Sequence, residues 1–120
     1  MSGLRAASGW PEAPRPVHSD DLLVERVLAG DGHARRQLVE EVYRPLAHGR
    51  SALADTLSTY FPCGSSLEGA ARGLFVRRST VGCRLRQVAA ATGLLPADPR
   101  AALALQLALV LGRQHDERDL

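Results

Sequence analysis

The sequence predicts an all-α protein, a winged-helix-like or homeodomain-like helical bundle of about six helices that contains a helix-turn-helix. Aromatic residues make up only 4% of the 120 residues while apolar residues make up 45%, so the core must consist of Leu, Val and Ala. Such a core suits packed helices better than strands. The apolar residues recur at helical spacing, and the alternating pattern of a strand is absent from the sequence. Residues 66–88 have the pattern of two short helices joined by a tight turn.

The N-terminal part of the chain is expected to contain a leader followed by two helices. The leader, residues 1–19, is rich in Pro and Gly and has no helical period, so we predict that it is disordered. Residues 20–48 form a two-helix segment. Gly30 is expected to end the first helix, Asp31 to start the second, and Pro45 to mark the end or the final turn of the second. The side chains expected to face inward are Leu22, Leu23, Val27, Leu28, Leu38, Val39, Val42 and Leu46.

The third helix and the last helix enclose the central motif. The third is expected to begin at Ser51. The last is expected to begin at Asp98-Pro99, because an N-cap followed by a proline at the first helical position is the favoured order. The main domain is therefore predicted to span residues 51–113, and residues 114–120 to form a charged tail. The inward side chains of the last helix are expected to be Leu103, Leu107, Val110 and Leu111.

The pattern in residues 66–88 predicts the helix-turn-helix itself. Ser66 is expected to cap its first helix and Ser79 its second, with Gly93 as the C-terminal stop. Ala71 is small, which lets the second helix pack closely against the first. The expected buried set is Ala71, Leu74, Val76, Val81, Leu85 and Val88.

Basic charge is concentrated on the same segment. Residues 66–92 contain five arginines and a single acid, Glu68, whereas residues 20–44 contain six acids and four arginines. All fifteen basic residues are Arg, which points to compositional bias of the genome, so the clustering is more informative than the net charge of +2. A local basic face is what docking on a nucleic acid requires.

These features predict DNA binding by the second helix of the motif. In helix-turn-helix proteins that helix lies in the major groove, and the first helix crosses the backbone. We therefore expect residues 79–92 to enter the groove and residues 66–74 to brace them. The candidates for base readout are Ser79, Thr80, Gly82, Cys83, Arg86 and Gln87. The candidates for phosphate contact are Arg72, Arg77, Arg78 and Arg84. Arg84 flanks the buried stripe, so pairing within the fold is the alternative for this residue.

Several motifs also carry a family resemblance. They are LADTLSTY at 53–60, SLE at 66–68, AARGLFV at 70–76, Arg78, Thr80, Val81, Arg84, Leu85, TGL at 92–94, DP at 98–99 and LALQLAL at 103–109. In this order, the run from about residue 51 to 113 resembles the C-terminal helix-turn-helix domain of PucR/CdaR-type bacterial transcriptional regulators. The resemblance implies sequence-specific DNA binding in transcriptional regulation. Members are usually longer and carry N-terminal sensory regions, so we expect a stand-alone or truncated output domain.

Two positions depart from the family pattern on the expected DNA side. Gly82 and Cys83 stand where the family usually has an Arg and a Tyr. Two hypotheses remain open. In the first, the chain is a DNA-binding regulator whose binding site differs from that of the family. In the second, it is a protein-interaction module with weak or no DNA binding that modulates a full-length regulator.

Other function classes lack support in the sequence. An enzyme would need a nucleophile–base motif, a glycine-rich phosphate loop or paired carboxylates, and none is found. The four histidines are scattered and the two cysteines, Cys63 and Cys83, lack metal-ligand spacing, so we expect no metal and no cofactor. No apolar run of about 18 residues and no secretory signal is present, which predicts a cytoplasmic protein, associated with the nucleoid when bound to DNA. The expected partner is double-stranded DNA. A homodimer, or a heteromer with a longer regulator, would form through the N-terminal helices or through residues 99–112.

Overall fold

The structure is a computed structural model that describes residues 23–49 and 52–118. Over these residues it contains six helices and no strand, which confirms the all-α prediction. The leader predicted over residues 1–19 lies outside the described residues, as do Leu22 and Ser51. The helices are α1 (Leu23–Leu28), α2 (segments Gly32–Leu38, Val39–Tyr43 and Arg44–Ala47), α3 (Leu53–Tyr60), α4 (Leu67–Leu74), α5 (Arg78–Thr92) and α6 (Pro99–Arg118).

Helix α1 is short and ends as expected at Gly30, whose φ is 91°. Its inner face is formed by Leu23 and Val24, with Val27 packed at the edge of the core. Leu28 was expected to face inward, and this prediction is wrong: its side chain is 71% exposed. Leu23 and Val24, at the start of α1, determine which face of the helix is buried. The chain turns immediately after Leu28, which lies outside that face.

Helix α2 has Pro45 in its final turn, which is one of the two positions that the sequence predicts for this residue. It continues to Ala47 because its middle segment, Val39–Tyr43, is π-helical. The N–H of Arg44 accordingly bonds to the carbonyl of Val39, five residues back. A proline lacks the N–H that a regular α-helix needs at each interior position, and a widened turn is a known way to accommodate such a defect. The inward prediction for Leu38, Val39, Val42 and Leu46 is confirmed.

Helix α6 packs along α2 through a glycine. A Cβ built on Gly112 would lie 2.0 Å from Cγ of Tyr43, so the ring occupies the space of the missing side chain. The Tyr43 hydroxyl donates to Oδ2 of Asp116 at 2.7 Å, and Arg35 Nη2 donates to Oε1 of Gln114 at 3.1 Å. These contacts hold the end of α6, which runs to Arg118 and includes residues expected in the charged tail.

The inner face of α6 differs from the predicted one. Leu111 is buried and Leu107 is half-buried, but Leu103 is 47% exposed and Val110 is 53% exposed. The side chains that face the core are Ala101, Ala104, Leu105, Ala108, Leu109 and Leu111. Small alanines let α6 lie close to its neighbours, and the larger Leu103 and Val110 are left on the outside.

Candidate nucleic-acid interface

Helix α4 has the N-terminal cap that the sequence predicts. Ser66 has extended backbone (φ −102°, ψ 125°), and its Oγ accepts a hydrogen bond from the N–H of Gly69 at 3.0 Å. The C-terminal end closes on Phe75, which is left-handed with φ 59°. The N–H of Val76 bonds to the carbonyl of Ala71 at 3.1 Å and that of Phe75 to the carbonyl of Arg72 at 3.4 Å, so these two carbonyls at the end of α4 are satisfied.

Helix α5 begins earlier than expected. Its N-cap is Arg77, and the carbonyl of Arg77 accepts from the N–H groups of Thr80 and Val81 at 3.0 and 3.2 Å. The prediction that Ser79 is the cap is therefore wrong. Ser79 lies in the first turn of α5 with an exposed side chain. The side chain of the N-cap residue Arg77 makes no hydrogen bond to the N-terminal amides of α5. The helix ends at Gly93, as predicted.

The buried side of the motif fixes the orientation of α5. Ala71, Val81 and Val88 are buried, and the rest of the predicted apolar set, Leu74, Val76 and Leu85, is partly buried against the core, as expected. Helix α4 also lies close to α3. A Cβ on Gly73 would be 2.9 Å from Cγ2 of Thr59. The motif is thus packed against α3 on one side and leaves the other side of α5 open.

The base-readout candidates lie on that open side. Ser79, Cys83, Arg86 and Gln87 are exposed, and Thr80 and Gly82 are half-buried. Residues three, four and seven apart share a helix face, so these positions form one surface, which we call the α5 face. A Cβ on Gly82 would meet nothing nearer than Arg86 Nη1 at 3.8 Å. The α5 face is therefore low at its centre without any packing requirement for glycine.

Three of the four phosphate candidates surround the start of α5. Arg72, Arg77 and Arg78 are all exposed. Arg78 Nη1 lies 3.7 Å from Oε1 of Glu68, and both side chains are about two-thirds exposed (66% and 65%). A pair of this kind contributes little to stability because solvent screens it. The three arginines therefore remain available to an external anion.

Arg84 is placed differently. Its side chain is half-buried, and Nη1 donates to Oγ1 of Thr56 at 3.3 Å. Thr56 is fully buried in α3, and its hydroxyl donates to the carbonyl of Ala52 at 2.7 Å. Of the two roles that the sequence left open for Arg84, the geometry matches pairing within the fold, since this bond ties α5 to α3.

Phe75 is a residue that the sequence reasoning did not single out. It lies in the turn between α4 and α5, and its side chain is 95% exposed. A left-handed conformation is unfavourable for a residue with a Cβ, by about 1–2 kcal/mol. The signal was present in the sequence: a large aromatic stands at the helix end where such turns usually have glycine.

Other kinds of site find no support in the described part of the chain. No three His, Cys, Asp or Glu side chains of residues 23–49 and 52–118 are grouped so that they could hold a metal ion. Cys63 and Cys83 are exposed free thiols. No helix within these ranges is long and apolar enough to cross a membrane.

Comparison with known proteins places this architecture among bacterial proteins. The chain is 43% identical over 113 residues to the uncharacterized proteins Rv2242 of Mycobacterium tuberculosis and Mb2266 of Mycobacterium bovis. The match covers 94% of this chain and 27% of each relative, so the chain spans about a quarter of their length.

A solved structure matches over the same extent. The regulator of polyketide synthase expression from Bifidobacterium adolescentis superposes with a TM-score of 0.77 and 41% sequence identity. The match covers 94% of this chain and 48% of that one. The similarity therefore includes the N-terminal helices as well as the helix-turn-helix.

The model of one protein family matches the part of the chain that carries the α5 face. Residues 53–111 match the PucR C-terminal helix-turn-helix domain. This range contains α3, α4 and α5 and most of α6, and the match confirms the resemblance drawn from the sequence motifs. Through residues 53–111, the chain belongs to the family of PucR C-terminal helix-turn-helix domains.

Proposed function

We propose that this chain binds double-stranded DNA sequence-specifically as the output part of a transcriptional regulator. Helix α5 would lie in the major groove and α4 would brace it across the backbone. The observation that carries the proposal is the placement of Arg72, Arg77 and Arg78 around the start of an exposed helix face, within a PucR-type helix-turn-helix. The proposed function needs no cofactor and no catalytic step, and it would be exercised in the bacterial cytoplasm.

The start of α5 suits a phosphate. Its N-terminal N–H groups carry a partial positive charge, and no N-cap side chain bonds to them. Arg77 and Arg78 add two full charges at the same end. A DNA phosphate would compete easily with Glu68 for Arg78, because the pair is long and exposed. We therefore assign phosphate contact to Arg72, Arg77 and Arg78, and a supporting role behind α5 to Arg84.

The α5 face supplies the groups for base readout. Ser79, Arg86 and Gln87 carry donors and acceptors that pair with base edges, and Thr80 lies beside them in the first turn. Gly82 and Cys83 make the centre of this face low, so the helix can approach the base pairs closely. We infer from this shape that the chain reads a site different from the usual one of its family.

The second candidate function is a protein-interaction module that modulates a longer regulator. One observation favours it: α6 leaves Leu103 and Val110 exposed, with Leu107 half-buried between them. Residues at this spacing form one stripe along a helix. In the DNA-binding function, the same stripe would instead pair two copies of the chain on a palindromic operator.

Fluorescence anisotropy tests the DNA-binding function. Duplexes from the regions flanking the gene of this protein are compared with random duplex at two salt concentrations. We expect preferential binding that weakens with salt and is impaired in Arg78→Ala and Thr80→Ala, with the salt slope of Arg78→Ala reduced by about one unit. Arg36→Ala, which removes an exposed arginine of α2, is the matched control and should bind as the wild type does. Binding without preference over random duplex would contradict the proposal.

A further inference from the structure

We propose that Phe75 contacts DNA through its ring, which packs against an apolar group of the duplex beside the bases that α5 reads. Two such groups are within the chemistry of DNA, the methyl group of thymine and the deoxyribose ring. This inference rests on the proposed function and adds a residue whose contribution is apolar rather than electrostatic.

The Phe75 ring has no role in the packing of the residues that the structure describes. Its side chain is 95% exposed, more than the other exposed large apolar side chains of the described residues, among which Leu28 follows at 71%. Apolar groups stabilise a fold in proportion to the area that they remove from water, and Phe75 removes almost none. A different explanation is needed for an aromatic residue at this position.

The backbone at Phe75 would favour a smaller residue. The turn holds it at φ 59°, and the N–H of Val76 reaches back to the carbonyl of Ala71 across it. Glycine adopts this conformation without strain, and glycine does so at three other sharp turns of the chain, Gly30, Gly64 and Gly93. Both the strain and the exposure of Phe75 indicate that its ring acts on something outside the described part of the chain.

The surroundings of Phe75 indicate what it meets. Arg72 precedes it by three residues and Arg77 and Arg78 follow it by two and three, and all three are exposed. At roughly 3.5 Å per residue, the Cα of Phe75 lies within about 11 Å of the first residue of α5. A strand whose phosphates bind these arginines brings its sugars and base edges beside the ring. Arginines and an aromatic in this arrangement match a polyanion with apolar surfaces, as DNA is.

The test starts from a duplex that the full chain selects from a random library. Binding is measured for the wild type, Phe75→Gly, Phe75→Leu and Arg78→Ala over a range of salt concentrations. We expect Phe75→Gly to bind about tenfold more weakly and Phe75→Leu to be intermediate. The salt slope should stay unchanged in both Phe75 variants because no charge is lost, whereas that of Arg78→Ala falls by about one unit. Phe75→Gly should melt at or above the temperature of the wild type, which separates lost contact from lost folding.

Thymine-to-deoxyuracil substitutions distinguish the two apolar groups. If the ring contacts a thymine methyl, one such substitution weakens the wild type and leaves Phe75→Gly unaffected. If the ring contacts a deoxyribose, each single thymine-to-deoxyuracil substitution changes the affinity of the wild type and of Phe75→Gly by the same factor. Phe75→Gly still binds every duplex more weakly than the wild type. If Phe75→Gly binds as tightly as the wild type while Arg78→Ala binds more weakly, this inference is wrong and the proposed function stands. The Phe75 ring would then be expected to contact a protein partner instead of DNA. Failure of the wild type to select any duplex would overturn the proposed function, and this inference with it.

Discussion

Two of the glycines that lie inside helices of this protein, Gly112 and Gly82, have opposite surroundings. Gly112 of α6 faces the Tyr43 ring, where a Cβ would lie 2.0 Å from Cγ. Gly82 of α5 has room for a Cβ, whose nearest neighbour would be Arg86 Nη1 at 3.8 Å. Glycine inside a helix is unfavourable by about 1 kcal/mol relative to alanine, so each needs a reason. Packing supplies the reason for Gly112. For Gly82 packing supplies no reason, and we propose that the reason is close approach to DNA.

The largest effect is expected from Gly112→Ala. The new methyl group would overlap the Tyr43 ring, which is buried and bonded to Asp116 and therefore cannot turn aside freely. We expect a loss of about 2–3 kcal/mol in the free energy of unfolding, measured by urea denaturation. Gly82→Ala is the matched control for helix propensity. Equal stability of the two alanine variants would contradict the contrast between the two sites.

Arg84 and Arg78 show the same contrast between a residue that bonds within the fold and a residue that faces outward. Arg84→Ala removes the hydrogen bond to buried Thr56, and we expect a loss of about 1–2 kcal/mol in stability. Arg78→Ala removes only a screened surface pair, so its stability should stay within about 0.5 kcal/mol of the wild type. Urea denaturation of both variants provides the measurement. A larger loss of stability in Arg78→Ala than in Arg84→Ala would contradict the supporting role of Arg84 and the purely surface position of Arg78.

Tyr43→Phe tests the contact between α2 and α6 without changing its shape. The variant loses the hydrogen bond from the hydroxyl to Asp116, and we expect stability to fall by about 1 kcal/mol near neutral pH.

The same variant should change the stability of the protein at alkaline pH. Burial, followed by the hydrogen bond to Asp116, raises the pKa of Tyr43 above its usual value. A raised folded-state pKa means that this contribution is fully present below the unfolded value near 10 and is lost as the pH rises through the folded value. Thermal melting between pH 8 and 11 should therefore show a steeper alkaline decline in the wild type than in Tyr43→Phe. Parallel declines would assign the alkaline loss to other groups.

One substitution is expected to increase stability. Gly82→Ala should raise stability by about 0.5–1 kcal/mol, because alanine favours the helix and the site has room for its methyl group. If the low centre of the α5 face serves close approach to DNA, the same variant should bind its selected duplex more weakly. A variant that is more stable and binds equally well would show that Gly82 is not needed at the interface.

Local signals explain why much of the fold could be predicted. The Ser66 cap, the Gly93 stop and the start of α6 at Asp98 each depend on a few adjacent residues, and each is present. The π-helical segment of α2 could not be predicted in this way. Pro45 is tolerated inside α2 because the π-helical segment before it supplies the geometry that a regular helix lacks.

Predictions that depend on tertiary packing were less successful. In α6, leucines and alanines both suit a buried face. The pattern therefore could not reveal that Leu105 and Leu109 face the core with the alanines, whereas Leu103 and Val110 stay outside. The role of Arg84 depends on Thr56, which lies 28 residues away in the sequence. The roles of the remaining residues in base readout and phosphate contact stay predictions. The fold positions these side chains, but the roles are contacts with a molecule outside the chain.

The central claim is that the α5 face, and not the outer stripe of α6, meets the principal partner of this chain. Titration of the isotopically labelled protein with its selected duplex, followed by backbone amide NMR, tests this claim most directly. We expect the largest shift changes in residues 75–87 and little change at Leu103 and Val110 beyond what pairing of two copies produces. Changes confined to α6, with residues 75–87 unaffected, would contradict the account and favour the protein-interaction module.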